Sequence, residues 1–292
     1  MRILLAVVAV ATTTAAAPAV VARIPVAKLA APCAAAAGGR FVWVSEYGAP
    51  YLLKIDPRTN RVVARTQIGS GSCGLDYGAG SLWVEDTSSS TVSRVSVSTG
   101  ERVKAIPVGI TPYDTTFAYG AAWTTAYGTG EVERIDPKRN RVVGRWKLPR
   151  ATGVVGAFGS VWAAGGSGII RVDPRARKLL ATIPIPTGAG WTAASSDAVW
   201  VTTPTGLSRI DPQTNAVVAT IPLTGPLGDP DVVGGMVWVP QIRKNAVAVV
   251  DPASNTVVQT VKTGAGPFVV TAIGGEAWVP SWKGRDVWRF RP

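Results

Sequence analysis

The sequence predicts an all-β protein, a seven-bladed β-propeller with four antiparallel strands per blade. The main observation is a tryptophan that recurs in one context, a Gly-rich turn followed by a short apolar strand. The copies recur with a nearly constant spacing along the whole chain. A period of about 40 residues with four short strands per unit is typical of a propeller blade. The seven copies are Trp43, Trp83, Trp123, Trp162, Trp200, Trp238 and Trp278.

A second repeated motif follows each tryptophan, where the third strand of the blade ends in an Asp-Pro turn. Blade two departs from it with Arg94-Val95-Ser96-Val97, and blade six has Val249 in place of the basic residue. We expect each basic residue to pair with the Asp two positions later, since both side chains project on the same strand face. The four complete motifs are Lys54-Ile55-Asp56-Pro57, Arg134-Ile135-Asp136-Pro137, Arg171-Val172-Asp173-Pro174 and Arg209-Ile210-Asp211-Pro212.

The residue four positions after the Asp closes this turn. Asn and Gly tolerate the left-handed conformation that such a position requires. Gly100 is the closing residue in blade two, and Arg177 in blade four predicts a looser turn. The other closing residues are Asn60, Asn140, Asn215 and Asn255.

The seventh blade is incomplete at the C-terminus. Its last residues, RFRP at 289–292, align with the end of a third strand, so the outer strand is missing. An open sheet edge would leave unpaired backbone groups. Residues 20–26, VVARIPV, resemble the outer strand of blade five, VVATIPL at 217–223. We therefore predict that the N-terminal strand closes the ring as the outer strand of the last blade.

The first residues have the composition of an export signal. Arg2 is followed by an apolar run at 3–10 and then by small residues, which is typical of a secretory signal peptide. Cleavage after Ala16 leaves the closing strand whole, whereas cleavage after Ala22 cuts it in two. We predict a signal peptide at 1–16, with 22 as the latest cleavage position, and a single propeller domain at 17–292. No later stretch is apolar enough to span a bilayer, so we expect a soluble protein that is secreted, periplasmic or at the cell surface.

The two cysteines occupy equivalent positions in neighbouring blades. Cys33 precedes Trp43 by the same offset as Cys73 precedes Trp83, which places both at the start of an innermost strand. Inner strands converge on the propeller axis, and export implies an oxidising compartment, so we expect a disulfide between them. The alternative is two free buried thiols. Lipidation of Cys33 is disfavoured, because Pro32 precedes it and cleavage there would remove the closing strand.

The repeats resemble a known group of propellers. VVDPASNTVVQTVKTGAGPFVV at 249–270 and RIDPQTNAVVATIPL at 209–223 look like the YVTN repeat. The run Trp43-Val44-Ser45-Glu46 is similar to repeats of the virginiamycin B lyase group. That resemblance implies a lyase that uses a catalytic His and a bound Mg²⁺. This chain has no histidine, so it cannot use that machinery, and His-dependent nucleophile and metal sites are excluded as well.

A ligand site is predicted on the face where the loops entering the inner strands meet the loops between strands two and three. These loops are richer in aromatic and acidic residues than the opposite face, and a concave aromatic mouth is the default place for a ligand. The alternatives are that the aromatics plug the channel and that the acids are solvated. Other residues of these loops are Tyr51, Tyr127, Asp229, Asp231, Gln241 and Trp282. The predicted ligand residues are Glu46, Tyr47, Glu85, Asp86, Tyr113, Asp114, Trp191 and Phe268.

Two functions from different classes follow. The first is an exported non-catalytic protein that binds a small molecule, peptide or cell-envelope partner through this face, with no cofactor. The second is a lyase or hydrolase of a cyclic peptide or lactone, with Glu46 or Asp86 as base and a divalent cation as cofactor. The absence of histidine favours the first.

The net charge of +12 bears on possible partners. It favours anionic surfaces such as wall polymers or lipid head groups. Nucleic acid is not expected as a partner, because the basic residues lack a stacked aromatic platform, and we expect a monomer. Basic residues gather at the turn face of blades one, three and four: Arg58, Arg61, Lys138, Arg139, Arg141, Arg175, Arg177 and Lys178.

Overall fold

The computed structural model describes residues 17–27 and 30–292 and confirms the propeller architecture. Seven four-stranded antiparallel sheets form the blades. In the first six blades the strands follow one another outward from the central channel in sequence order. The predicted signal peptide at 1–16 lies outside the described residues.

The strands of the first four blades follow the predicted period. The chain begins with β1 (Ala19–Pro25), which belongs to the last blade. Blade one contains β2 (Pro32–Gly38), β3 (Phe41–Glu46), β4 (Tyr51–Asp56) and β5 (Arg61–Gln67). Blade two contains β6 (Leu75–Gly78), β7 (Ser81–Asp86), β8 (Thr91–Ser96) and β9 (Arg102–Pro107). Blade three contains β10 (Pro112–Ala118), β11 (Ala121–Ala126), β12 (Glu131–Asp136) and β13 (Arg141–Lys147). Blade four contains β14 (Ala151–Ala157), β15 (Ser160–Gly165), β16 (Gly168–Asp173) and β17 (Lys178–Pro184).

The last three blades have shorter innermost strands. Blade five contains β18 (Thr192–Ala194), β19 (Val199–Thr203), β20 (Gly206–Asp211) and β21 (Ala216–Pro222). Blade six contains β22 (Asp231–Val233), β23 (Met236–Gln241), β24 (Ala246–Asp251) and β25 (Thr256–Lys262), with a 3₁₀ turn at Ile242–Lys244 between β23 and β24. Blade seven contains β26 (Thr271–Ile273), β27 (Glu276–Ser281) and β28 (Asp286–Arg291), and β1 completes it.

The seven blade tryptophans form the contacts between blades. Each is at most 1% exposed. Trp43 packs with Leu82 and Val84 of the following blade, and Trp278 of blade seven packs in the same way against blade one. The indole N–H of Trp43 donates to the carbonyl of Gly38 at 3.2 Å, so the one polar atom of the ring is satisfied. The predicted core role is confirmed.

A polar contact, here called the arginine latch, joins each of four blades to the next. Nη1 of Arg94 donates to Pro137 O at 2.6 Å and to Asn140 Oδ1 at 2.8 Å, both in the turn of blade three. The prediction that each basic residue pairs with the Asp of its own strand is therefore wrong. Where that Asp is present, it accepts hydrogen bonds within its own turn. Asp136 Oδ1, for example, accepts the N–H of Lys138 at 2.8 Å. The other latches are Arg171 to Pro212 and Asn215, Arg209 to Pro252 and Asn255, and Arg289 to Pro57 and Asn60.

The closing residues of the turns take the predicted left-handed conformation. The φ angles are 54° at Asn60 and 77° at Gly100. Arg177 in blade four has a φ of 55°. Among the described residues, however, its turn lacks the backbone bond that Asn60 N donates to Asp56 O at 2.8 Å, so it is the looser turn that the sequence predicts.

The ring closes as predicted, because β1 pairs antiparallel with β28 along its length. Ile24 is 1% exposed and lies in one cluster with Trp278 and Val287. Each outer strand also carries a β-bulge, which protects an exposed sheet edge. The bulge falls at Val63 in blade one and at Val21 in β1, so the N-terminal strand shares the feature of the other outer strands.

The predicted disulfide between Cys33 and Cys73 is present. The two α-carbons are 5.0 Å apart, and the bond links β2 of blade one to the segment just before β6 of blade two. Its two cysteines are separated by 40 positions in the sequence. Constraining such a loop lowers the entropy of the unfolded chain and thereby stabilises the fold.

The disulfide can be tested by double replacement. We expect Cys33→Ala with Cys73→Ala to lower the free energy of unfolding by about 2–4 kcal/mol, measured by urea denaturation without reductant. In reductant the native chain loses the same constraint, so the two proteins should then unfold at similar urea concentrations. Equal stability under oxidising conditions would show that the bond does not contribute.

The closing strand can be tested at its buried position. We expect Ile24→Ala to cost about 2–4 kcal/mol, since it leaves a cavity between blades seven and one. Val20 in the same strand is 51% exposed, and Val20→Ala should change stability by no more than about 0.5 kcal/mol. A loss at Ile24 no larger than that at Val20 would show that β1 does not hold the ring closed.

Candidate ligand-binding site

A small cavity lies at the mouth of the central channel, on the face where the sequence places the ligand site. Its volume is about 190 Å³. Four aromatic rings, the disulfide, one threonine and one carboxyl group form its wall. The lining residues are Cys33, Tyr47, Cys73, Glu85, Thr87, Tyr113, Phe268 and Trp282.

Two repeated positions of the blade supply most of these residues. Tyr113 and Phe268 precede their blade tryptophans by the same offset as the cysteines of blades one and two. Tyr47 and Trp282 follow their blade tryptophans by one common offset, which Thr87 shares. The first position enters the inner strand and the second leaves the second strand. Equivalent positions in different blades therefore converge on one mouth.

The aromatic side chains form one continuous belt across the mouth. Tyr47 contacts Trp282 edge to face at 5.4 Å between ring centroids, and Trp282 contacts Phe268 at 5.8 Å. Phe268 meets Trp191 at 5.1 Å, and Trp191 stacks on Tyr113 at 5.6 Å. Such ring pairs each add about 0.5–1.5 kcal/mol beyond their buried area. The belt is therefore a stable wall formed by residues from several blades.

Glu85 is the one carboxyl in the cavity lining, and it is fully buried. Its Oε1 accepts the backbone N–H groups of Cys73 at 2.7 Å and Gly74 at 2.5 Å. Burial raises the pKa of Glu85 well above its usual 4.5, against the lowering effect of these two bonds. Oε2 lies 3.5 Å from Thr87 Oγ1, whose hydroxyl donates at a shorter 2.8 Å to Pro112 O. Apart from this long contact, Oε2 has no hydrogen-bond partner among the described residues.

The two candidate catalytic carboxyls, Asp86 and Glu46, lie outside this lining. Asp86 Oδ1 accepts bonds from Gly69 N and Ser72 Oγ, and its Oδ2 accepts from Thr91 and Ser93. It therefore ties the loop between blades one and two to blade two.

Glu46 lies at the end of the second strand of blade one and is 1% exposed. Among the described residues its Oε1 has no hydrogen-bond partner. Burial raises the pKa of Glu46, while the charge of Arg65 lowers it.

Four further carboxyls line the channel beneath the mouth, around a space of about 510 Å³. Asp114 Oδ2 accepts the N–H of Val154 in the next blade at 2.8 Å. Asp76 and Asp231 make the matching bond, each at 2.7 Å, to Phe117 N and Ala272 N of their next blades. These side chains thus bridge neighbouring inner strands. The fourth, Asp229, has a buried Oδ1 without a hydrogen-bond partner among the described residues.

Desolvation keeps the channel carboxyls protonated to higher pH than free ones. Burial raises the pKa of Asp114 from 3.8 to about 7, helped by the charge of Asp76. Burial and the neighbouring charges of Asp114 and Asp231 raise the pKa of Asp229 well above its usual value. Among the described residues, no basic side chain lines the channel space, so nothing there opposes this effect.

The structure brings together four of the eight predicted ligand residues in the cavity lining: Tyr47, Glu85, Tyr113 and Phe268. Trp191 lies one layer behind, in contact with Tyr113 and Phe268. Asp114 lies in the channel wall instead. Direct ligand contact by any of them stays a prediction.

Thr87, Trp282 and the two cysteines line the cavity but are not among the predicted ligand residues, and Asp76 lines the channel without having been predicted there. For Thr87 and Trp282 a signal was available, because they stand at the same offset from the blade tryptophan as Tyr47.

Within residues 17–27 and 30–292, no three His, Cys, Asp or Glu side chains are grouped so that they could hold a metal ion. The divalent cation of the enzyme hypothesis therefore stays a prediction. In the same part of the chain, no helix has the length and apolar character needed to cross a membrane.

The channel acids predict an unusual dependence of stability on pH. A group whose pKa is about 7 when folded and 3.8 when unfolded binds a proton more tightly in the folded state. Its contribution is full below pH 4 and is lost as the pH rises towards 7. We expect the free energy of unfolding to be lower at pH 8 than at pH 5, with Asp114 contributing about 2.5 kcal/mol at most to this difference.

Urea denaturation at the two pH values measures this difference. Asp114→Asn should reduce it, whatever the variant's absolute stability, because the amide does not titrate. Asp211→Asn is the matched control, since the N–H of Gln213 lowers the pKa of Asp211 and its titration falls below this range. An unchanged difference in Asp114→Asn would contradict the assignment.

Comparisons with known proteins identify the fold. No protein-family profile matches the chain, and no curated protein is significantly similar in sequence. Among solved structures, virginiamycin B lyase from Staphylococcus aureus superposes with a TM-score of 0.80 at 14% identity, over 93% of this chain and 98% of that one. Hydrazine synthase from Kuenenia stuttgartiensis gives 0.78 at 16% identity, over 91% and 97%. BamB from Moraxella catarrhalis gives 0.68 at 13% identity, over 95% and 98%. The chain is thus a seven-bladed β-propeller with the fold of virginiamycin B lyase and BamB.

Proposed function

We propose that the protein is an exported, non-catalytic propeller that binds a small, flat, mostly apolar molecule at the channel mouth. The observation that carries this proposal is the aromatic cavity with one buried carboxyl, Glu85, in its wall. A cavity of this kind offers apolar contact from its aromatic rings and a few polar groups, among which the carboxyl of Glu85 can fix orientation. That combination is typical of small-molecule sites.

The size of the cavity limits the ligand. A buried apolar cavity of about 150 Å³ is enough to bind benzene. The volume here is about 190 Å³, which suits one aromatic ring with a short substituent. The same space would also admit an aromatic side chain from a peptide or envelope partner, because it opens at the channel mouth.

The polar contact that Glu85 offers depends on its protonation. Burial raises its pKa well above the usual 4.5, which favours the neutral acid at mildly acidic pH. Its Oε1 is occupied by two backbone N–H groups, so the proton belongs on Oε2. Oε2–H then donates to a carbonyl or ether oxygen of the ligand. Ionisation at higher pH removes this donor.

The lyase alternative has less support. The fold is that of virginiamycin B lyase at a TM-score of 0.80, but fold alone does not carry an activity from one protein to another. Its candidate bases, Glu46 and Asp86, lie outside the cavity lining. Asp86 already accepts four hydrogen bonds. A neutral Glu85 would not act as a base.

A matched pair of probes tests the binding proposal. Acetophenone and ethylbenzene have nearly the same shape, but only acetophenone carries a hydrogen-bond acceptor. We expect acetophenone to bind about 5–10-fold more tightly at pH 5, because a hydrogen bond to a buried acid adds about 1–1.5 kcal/mol. Ligand-observed NMR titration measures both affinities. The preference should disappear as the pH rises through the pKa of Glu85.

Two variants complete this test. Glu85→Gln keeps a neutral donor of the same shape, so it should retain the preference for acetophenone and lose its pH dependence. Trp282→Ala opens the wall and should weaken both probes alike. If neither probe binds the native chain, or Trp282→Ala changes nothing, the cavity is not the site. Turnover of a cyclic ester that disappears in the Glu46→Ala, Asp86→Ala double variant would support the lyase instead.

A further inference from the structure

One arginine latch is broken, at the junction of blades three and four. Arg134 holds the latch position in blade three, two residues before the Asp of its Asp-Pro turn. Its guanidinium carbon lies 5.9 Å from the Trp123 ring centroid, as expected of this position. Among the described residues, however, the buried Nε of Arg134 has no hydrogen-bond partner. Arg94, Arg171, Arg209 and Arg289 all bond to the turn of the next blade.

Two substitutions within the repeat explain the missing bonds. In the other latches, Nη1 donates to the side-chain oxygen of an Asn at the closing position of the next turn. In blade four that position holds Arg177, which has no acceptor atom. The Nε partners of Arg94 and Arg171 are Ser81 and Ser160. The equivalent residue in blade three is Ala121.

The junction consequently places like charges together. Burial lowers the pKa of Arg134, and the nearby charge of Arg177 lowers it further. Arg177 also lines an open groove of about 490 Å³, together with Arg139, Arg141 and Arg145. Arg139 pairs with Asp136, and Arg145 pairs with Glu133. Within residues 17–27 and 30–292, no carboxylate forms an ion pair with Arg134, Arg141 or Arg177.

We propose that this junction is an anion site, in which an oxygen of a phosphate group bridges Arg134 and Arg177 in place of the missing Asn. Guanidinium groups bind phosphate through paired N–H donors. Among the described residues, Arg134 Nε has no acceptor, and Arg177 donates only from Nη1, to Val143 O at 3.4 Å. Arg141 lies in the same groove and adds a third charge. The groove is open, so the phosphate can be a free ion or part of a larger molecule.

The replacement Arg177→Asn separates this proposal from general attraction to a basic surface. It restores the side-chain oxygen that accepts the arginine N–H at the other latches. Arg134 then has a partner within the protein, and the anion is no longer bound between the two residues. Asn also accepts the left-handed conformation at this turn more readily than Arg does. We therefore expect the variant to unfold about 2–4 °C higher than the native chain in chloride.

The effect of phosphate should change in the opposite direction. For the native chain we expect about 20 mM inorganic phosphate to raise the unfolding midpoint by roughly 2–4 °C over sodium chloride of equal ionic strength. In Arg177→Asn this shift should fall to less than half. Arg175→Asn is the matched control, because it removes one charge from the same turn without touching the latch position, and it should keep the native shift.

Two results would overturn the proposal. One is a full phosphate shift in Arg177→Asn, and the other is an equal loss of the shift in Arg175→Asn, which would indicate surface charge alone. A co-sedimentation assay with phosphatidylglycerol vesicles then identifies the source of the phosphate. Sedimentation of the native chain but not of Arg177→Asn assigns it to a lipid head group. Phosphate stabilisation without sedimentation assigns it to a soluble phosphate compound.

Discussion

The structure depends on one contact that is repeated around the ring, the packing of each blade tryptophan against the next blade. The seven contacts form a closed ring, so a poorly packed contact between two blades changes the positions of all the others. This requirement explains why the tryptophans are at most 1% exposed and why their spacing is so regular. It also explains why the first strand belongs to the last blade. Without β1, Trp278 would lose Ile24 from its cluster, and the junction between the ends of the chain would be the weakest in the ring.

The repeat that fixes the fold leaves other positions free for function. Two residues after the blade tryptophan, Ser45 and Thr125 each accept an N–H of their own inner strand and donate to a carbonyl of the next blade. Glu85 stands at that position in blade two and still accepts inner-strand N–H groups with one oxygen. Its second oxygen is then available at the cavity. In blade two this position thus carries a carboxyl in place of a hydroxyl, while the bonds that hold the inner strand are kept.

The fold could be predicted almost completely from the sequence, because it rests on spacing. The period, the closing strand and the disulfide all follow from residues at equal offsets, and the structure confirms them. The site was predicted less well, because an offset gives the place of a backbone position but not the direction of its side chain. Glu85 and Asp86 are adjacent, yet one lines the cavity and the other holds a loop behind it.

The arginine latch was assigned to the wrong partner for a related reason. Its true partner is distant in sequence and belongs to the next blade, and only the assembled ring brings the two together.

Departures from the repeat are therefore more informative about function than the repeat itself. A buried polar group that loses its partner costs about 1–3 kcal/mol, so a junction that keeps such a group gives up stability. At the junction of blades three and four, two acceptors found at other latches are replaced, by Ala121 and Arg177, while Arg134 and Pro174 are present. The other blades show that Ser and Asn fit these two positions without strain. An external anion would offset the lost bonds, while the contact of the Arg134 guanidinium with the Trp123 ring remains in either case. At the channel mouth, too, one blade departs from the repeat: a carboxyl replaces a hydroxyl that would hold the inner strand equally well. The two departures lie on opposite faces of the propeller, so a ligand at the mouth and an anion at the turns can bind without competing for space.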